Sequence, residues 1–502
     1  MLTHCLISSR RSIWQHSIER SAVLHYIRGR GKRIPESAEK LAGKNRTDGE
    51  AKFPPGPSSI IAGRLLRDFM RDPIHMLLQT AEKYGDVSHF KLGKQHIFLV
   101  NNPELIENIL IRDYRNFVKS RRLQLSKRLL GEGLLTSEGE FHDRQRRMMQ
   151  PSFLPNRVKS YGAAMIDSAE KMISGWRDGQ VLDIHAQMMH VTSAIITKAV
   201  LGSEISDEES DRVNQALVSS MKYLDRIQMP LGEFVQRIPI LPVNKDFRSA
   251  KVVLDTLVYR MISEHKSRGG QAGEPDLLDT LIAAGKSDAE LAREWDRQVR
   301  DEVMTIFLAG HETTANALTW TLYLLSQNPE CESKLFDELA RVLQDGAGLR
   351  APSINDIHAL QYTEKVLRES MRMYPPAWTL ARQAVQDYKL DGYTVPAKSI
   401  IVMSQYVMHH DPRFFAEPNR FIPERWTNEF RAQLPRFCYF PFGGGIRGCL
   451  GESFAWTEGI LLLATICRNW SMTHDPSHRV EALPIITLRP KHGMRMRLHK
   501  RQ

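Results

Sequence analysis

Three things are scarce in this chain of 502 residues: cysteine, long apolar runs, and net charge in the middle of the sequence. Five cysteines (Cys5, Cys331, Cys438, Cys449, Cys467) are odd in number and scattered, with no Cys-x-x-Cys pair. That excludes a disulfide scaffold and fits a reducing compartment. No run of about 18 apolar residues occurs, so no transmembrane helix or anchor is expected. Internal repeats and low-complexity tracts are also absent. With 42% apolar and 25% charged residues, wholesale disorder is excluded and a large core is affordable. The formal charge is +11, yet residues 1–35 carry +6, residues 484–502 carry another +6, and the 448 residues between them come to −1. A body without surplus Lys and Arg argues against a nucleic-acid partner.

The first 35 residues are rich in Arg and Ser, with Glu19 as the one acid. This is the composition of a mitochondrial transit peptide, and equally of a disordered extension or a misplaced start. Residues 1–52 are therefore set apart as a basic N-terminal extension, expected outside the fold and either disordered or targeting. A cytoplasmic location is expected, or a mitochondrial one if residues 1–35 are a transit peptide.

Phe53-Pro54-Pro55-Gly56-Pro57 is a stiff stop that no helix crosses, and patterned sequence begins after it. Asp72-Pro73 caps a short helix ending near Gly85. Val87–Leu92 and His96–Val100 flank Gly93-Lys94-Gln95 as a hairpin. From Pro103 to about Asp387 the pattern is almost wholly helical. Short strands return at Tyr393–Val395, Ile400–Ser404 and within Ile485–Leu498. The fold class is mainly α with a small β component.

The sharpest feature is Phe442-Gly443-Gly444-Gly445-Ile446-Arg447-Gly448-Cys449-Leu450-Gly451, followed by an apolar helical run. Glycines let backbone approach a flat ligand closely, and amides or a helix N-terminus favour the thiolate. Arg447 is placed to reach an anionic group such as a carboxylate. This loop resembles the haem-binding loop of the cytochrome P450 family, Phe-x-x-Gly-x-Arg-x-Cys-x-Gly, with every specified residue present. The resemblance implies haem b (iron protoporphyrin IX), Cys449 as the iron ligand, Phe442 covering the sulfur, Gly445 and Gly451 as further cofactor-binding residues, and Arg447 on a propionate. Cys438, in an aromatic run without these glycines, reads as a packing residue.

A second long pattern runs from about Trp295 to Gln327, roughly 33 residues or about 50 Å of helix. At its centre lies Ala309-Gly310-His311-Glu312-Thr313-Thr314. Gly310 costs about 1 kcal/mol relative to Ala and vacates space for a ligand. The Thr313 hydroxyl can bond back to the Ala309 carbonyl and open the helix ladder. His311 has no partner histidine and reads as a polar core or surface residue. The hexapeptide resembles the same family's oxygen-binding signature, (Ala/Gly)-Gly-x-(Asp/Glu)-Thr-(Thr/Ser). The resemblance makes Ala309 and Gly310 neighbours of the haem, Thr313 the proton-delivering alcohol, and Glu312 its link to solvent.

Glu369-Ser370-Met371-Arg372 sets opposite charges three apart on one helix. In the family such a pair forms a buried network with an arginine from a segment like Phe421-Ile422-Pro423-Glu424-Arg425-Trp426, here Arg425. His142-Asp143-Arg144-Gln145-Arg146 departs from the commoner Trp-x-x-x-Arg. His142, Arg146 and Arg382 are further propionate candidates, and the same region, with Arg144 and Arg147, is alternatively a basic surface for an acidic electron carrier. Motifs running from His142 to Cys449 must converge on one group. That favours a single catalytic domain over residues 53–502.

The resemblance implies a monooxygenase that inserts one atom of O2 into an apolar small molecule. Electrons would come from a separate ferredoxin, flavodoxin or reductase. A peroxygenase, an isomerase or a ligand or gas sensor is the alternative, against which Glu312-Thr313 counts. Selectivity falls by resemblance in Val118–Leu135, near Met221–Ile240, beside Ala309, in Pro376–Leu380 and in Leu483–Ile486. Lys119, Arg121 and Arg122 belong either to a solvated loop or to a site for a substrate carboxylate.

Overall fold

The ring of Phe53 stacks on His89 and His96, with centroids 4.4 and 5.2 Å away, and the His89 amide donates to the Pro55 carbonyl. The Pro-rich entry segment is thereby laid along the first hairpin. In the computed structural model, residues 53–58, 63–228, 232, 238–268, 275–284, 292–346 and 348–501 are described. The expectations for residues 1–52, and part of those for Met221–Ile240, lie outside these residues.

Helix α1 (Arg64–Arg71) precedes α2 (Pro73–Tyr84). The Asp72 carboxylate accepts from the His75 amide, Pro73 opens α2, and Gly85 at φ 80° closes it. The expected cap and stop are both present. Then come β1 (Val87–Leu92), β2 (Gln95–Val100), β3 (Phe117–Lys119), β4 (Val181–Asp183), β5 (Leu380–Ala384), β6 (Tyr388–Leu390), β7 (Tyr393–Val395), β8 (Ile400–Met403), β9 (Trp470–His474), β10 (Ala482–Pro484), β11 (Leu488–Pro490) and β12 (Arg495–Lys500). They form sheets ordered β1-β2-β8-β5-β3, β4-β12-β9, β10-β11 and β6-β7.

The stretch from Pro103 to Asp387 is less purely helical than its sequence suggests, because β3, β4 and β5 interrupt it. Phe117–Lys119 pairs with Ala384–Arg382, and Val181–Asp183 with Arg497–Arg495. At three residues each, β3 and β4 carry no readable alternation, and only their distant partners define them; β5, at five, is likewise defined by its pairing with β3 and β8.

The longer helices are α3 (Gly139–Met149), α4 (Pro155–Ser174), α5 (Ile184–Ile195), α6 (Asp207–Gln228), α7 (Pro242–Arg268), α8 (Leu277–Ala284), α9 (Ala292–Gln327), α10 (Pro329–Leu343), α11 (Gln361–Met373) and α12 (Glu452–Asn469). At 36 residues, α9 starts three earlier than its pattern indicates. Its central stretch is buried on nearly every side: Val303, Phe307, Leu318 and Trp320 are at most 2% exposed and share one core with α4, α5 and α12. Of the described residues, no helix is long and apolar enough to cross a membrane.

The basic C-terminal strands have local partners rather than a free surface. Lys491 pairs with Glu481, Arg495 with Asp475 and Arg501 with Glu332, while Arg497 donates to the Gly179 carbonyl.

Candidate haem-thiolate site

The Cys449 amide donates to the Phe442 carbonyl at 2.9 Å, and the Gly448 amide donates to the Gly445 carbonyl at 3.0 Å, closing the motif into a tight turn. Gly451 then caps α12. Two of the glycines serve the protein's own packing. A Cβ on Gly444 would stand 2.4 Å from the Phe437 ring, and one on Gly445, at φ 69°, 2.2 Å from the Leu110 carbonyl oxygen. Gly445 therefore seats the loop on the Asn108–Arg112 turn, which accounts for it without any ligand contact. A Cβ on Gly451 meets nothing. Phe442 packs against Trp456 with the rings tilted by 58° and centroids 5.8 Å apart.

Cys449 is exposed, yet protein surrounds its sulfur on most sides. Burial pushes its thiol up to about 11, opposed by the Gly451 amide and by Arg146. The local donors alone do not produce a thiolate; a Lewis-acidic metal would. Cys438 is fully buried beside Phe415 and Trp426, with its thiol pushed up to about 12, as its packing role requires.

Around this loop cations outnumber anions. Arg146 donates to the Gly448 carbonyl at 2.8 Å, whereas Arg144 and Arg147 point outward. Arg447 pairs with Glu138 at 2.5 Å, donates to the Phe117 carbonyl, and keeps a buried Nε with no partner. Arg382 is buried, and burial together with Arg447 lowers it to about 10. Lys119 is no solvated loop residue. Its ammonium is buried against the Leu134 and Ser137 carbonyls at 2.9 and 2.6 Å, and burial lowers it to about 7. His142 is also buried, lowered first by burial and then by Lys119, and its Nδ1 faces Asp143 at 3.2 Å. Glu138 is the carboxylate that Lys119, Arg382 and Arg447 share. The orphaned Arg447 Nε and the surplus positive charge suit a dianionic partner such as a porphyrin with two propionates.

Ala309 is the exposed residue in the middle of buried α9. The Thr313 hydroxyl donates to the Ala309 carbonyl at 2.7 Å, the back-bond its spacing indicates. Gly310 is explained differently: a Cβ there would stand 2.8 Å from Ile196 Cδ1, so its bareness admits the residue that follows α5 rather than a ligand. The Glu312 carboxyl does not run outward to solvent. It is buried, accepts from Thr487 Oγ1 at 2.6 Å, and is raised by burial against the pull of Thr487 and Arg489. His311 is buried, with Nδ1 on the Phe307 carbonyl at 3.1 Å and its ring stacked on Phe307. These contacts make it a core histidine.

Glu369, Arg372 and Arg425 meet as their motifs imply. Both Glu369 and Arg372 are fully buried, and Arg372 chelates the carboxylate with two 2.9 Å bonds. Arg425 Nε, the Ile422 amide and Trp426 Nε1 also donate to it, at 3.0, 3.0 and 2.9 Å. Arg372 further donates to the carbonyls of His409, Pro418 and Arg420. Such saturation is what a buried ion pair needs to offset its desolvation. Trp426, directly after Arg425, is a donor to this network that the charge spacing alone does not announce. Glu138, Thr487 and Asn316 carried no motif at all.

A cytochrome P450 family model matches residues 54–494. The chain is 33% identical over 423 residues to cyclooctatin synthase of Streptomyces melanosporofaciens, covering 83% of this chain and 89% of that protein. It is 33% identical over 407 residues to cyclooctat-9-en-7-ol 5-monooxygenase of the same organism (81% and 86%), and 31% identical over 433 residues to pentalenene oxygenase of Streptomyces avermitilis (86% and 94%). A crystal structure of the cytochrome P450DA heme domain superposes with TM-score 0.78 at 24% identity, covering 90% of this chain and 98% of that one, and so shares the fold. The family match, the relatives named as oxygenases and the shared fold lead to one conclusion: the chain belongs to the cytochrome P450 family and is an oxidoreductase of the haem-dependent monooxygenase class.

Proposed function

We propose that residues 53–502 form one catalytic domain that binds haem b through Cys449 and inserts one atom of O2 into an apolar organic substrate. Two electrons come from a separate ferredoxin, flavodoxin or reductase. The observation that carries this reading is the accessible Cys449 beside a cluster of cations sharing one carboxylate, Glu138.

Arg146, Arg382, Arg447 and His142 would hold the propionates, with Phe442 against the sulfur side. When bound, the haem supplies the activation of oxygen, which no side chain can perform. The chain supplies the rest. The Gly451 amide and Arg146 favour negative charge on Cys449. Thr313 Oγ1, held by the Ala309 carbonyl, presents a hydroxyl for proton transfer where α9 is accessible. Glu312, whose carboxyl burial raises above its ordinary value, is the neighbouring acid.

Apolar selectivity is supported by Leu135, exposed between the buried Leu134 and Thr136. It is also supported by the tie between Pro376–Trp378 and the tip at Ile485–Leu488. Relatives named for pentalenene and cyclooctat-9-en-7-ol direct a first screen to terpenes, alongside fatty acids and steroids. The test is turnover under isotopically labelled O2 with a surrogate redox system and any compound that perturbs the haem spectrum. One labelled oxygen in the product is expected. Product formed only from added peroxide would replace this reading with a peroxygenase.

A further inference from the structure

Glu312 ends a line of side chains that no motif announces. Thr487 Oγ1 donates to Glu312 Oε1 at 2.6 Å, Asn316 Nδ2 donates to Thr487 Oγ1 at 3.3 Å, and His185 Nε2 faces Asn316 Oδ1 at 3.1 Å. Glu312, Asn316 and Thr487 are all buried. The line joins α9 to the start of α5 and to the turn between β10 and β11. An amide does not readily pass a proton, so Asn316 makes this a device for orientation rather than a wire. With its carbonyl turned to His185, Asn316 points its NH2 at the Thr487 oxygen, which leaves the Thr487 hydrogen for Glu312.

The same turn is fastened beside the segment assigned to substrate selection. Trp378 Nε1 donates to the Ile485 carbonyl at 3.0 Å, the Leu488 amide to the Pro376 carbonyl at 2.9 Å, and Trp320 Nε1 on α9 to the Leu488 carbonyl at 3.1 Å. A change at Ile485 or Ile486 therefore reaches the Thr487 hydroxyl through one short, tied turn.

Building on the monooxygenase reading, we propose that Thr487 is a positioning residue: its hydroxyl, aimed by Asn316, sets the direction of the Glu312 carboxyl and couples the β10–β11 turn to proton delivery at Thr313. In this role Thr487 acts through its hydrogen bond to Glu312.

The experiment compares Thr487→Val, which keeps shape and loses the hydroxyl, with Thr487→Ser, which keeps the hydroxyl. The first readout is the infrared carbonyl stretch of the Glu312 carboxyl, assigned by its loss in Glu312→Gln, and it needs no turnover. In Thr487→Val this band shifts to higher frequency, as for a carboxyl without that donor, and in Thr487→Ser it stays near the wild-type position. The second is coupling: product per NADPH falls about threefold to tenfold in Thr487→Val, the worth of one lost hydrogen bond, with peroxide rising to match. The carbon-monoxide spectrum is unchanged, and Ser restores coupling. An unmoved band in Thr487→Val overturns the proposal, as does equal loss in Val and Ser, which would mark a packing role. If Glu312→Gln itself leaves coupling intact, the role of Glu312 in proton delivery fails instead, whereas the band still reports whether Thr487 positions the carboxyl.

Discussion

Gly310 on α9 faces Ile196 so closely that a Cβ would lie 2.8 Å from Cδ1 and 3.0 Å from Cγ1. The glycine at the centre of the oxygen-side helix is thus fixed by helix packing. Gly310→Ala gains about 1 kcal/mol of helix propensity and loses about 1–3 kcal/mol to overpacking. Urea unfolding should show a double-mutant coupling with Ile196→Ala of roughly 1 kcal/mol or more. Additive effects would return Gly310 to a ligand-facing role.

Thr313 spends its hydrogen on the Ala309 carbonyl. In Thr313→Ala the fold should survive within about 1 kcal/mol, since one hydrogen bond is lost. Product per NADPH should drop while oxygen consumption persists and peroxide accumulates. Unchanged coupling would remove Thr313 from proton delivery.

For Cys449 the readout is spectroscopic. The reduced carbon-monoxide complex of the wild type should show the red-shifted Soret band of thiolate ligation, and Cys449→Ser should lose it. Cys438→Ser is the control and should retain the band, because Cys438 is buried among Phe415 and Trp426.

Glu369 accepts five hydrogen bonds in a fully buried site. Glu369→Gln leaves Arg372 and Arg425 without their anion and should cost about 3–5 kcal/mol by urea unfolding, the usual penalty for stranding a buried charge. Arg372→Lys should cost nearly as much, because an ammonium cannot reproduce the two-pronged contact.

Glu302 on α9 is buried, accepts from the Leu134 amide at 2.8 Å, and is raised by burial to about 8. The native state therefore keeps a proton that the unfolded chain releases near the usual carboxyl value of about 4.5. Its contribution to stability is complete below that value and is lost as pH rises, by up to about 1.4 kcal/mol per unit. Lys119, lowered to about 7, loses its proton early on folding and offsets this trend above that pH. In Glu302→Gln, the fall in melting temperature between about pH 4.5 and 7 should flatten. An unaltered slope would show that Glu302 is ionised in the native state.

Much of the site was legible along the chain because its parts are local. The thiolate turn, the Ala309–Thr314 weak point, the Asp72 cap, the first hairpin and the Glu369–Arg372 pair each depend on residues within one turn or one helix face, so spacing alone carries them. Distant partners were not legible. Arg447 and Glu138 are 309 positions apart, and neither β3, β5 nor the Thr487–Glu312 bond leaves a periodicity to read.

The sequence by itself determined which residue types stand ready for thiolate ligation and proton transfer, and where the helices run. Only the tertiary structure decided the direction of each charge: Lys119 inward onto carbonyls, Glu312 onto Thr487, Arg144 and Arg147 outward, and the C-terminal cations onto Glu481, Asp475 and Glu332. The uneven charge that marks both ends of the sequence becomes, at the C-terminus, a set of paired side chains. A charge counts the same wherever it lies in a sequence, whereas its energy depends on burial and on a partner that only packing brings within reach.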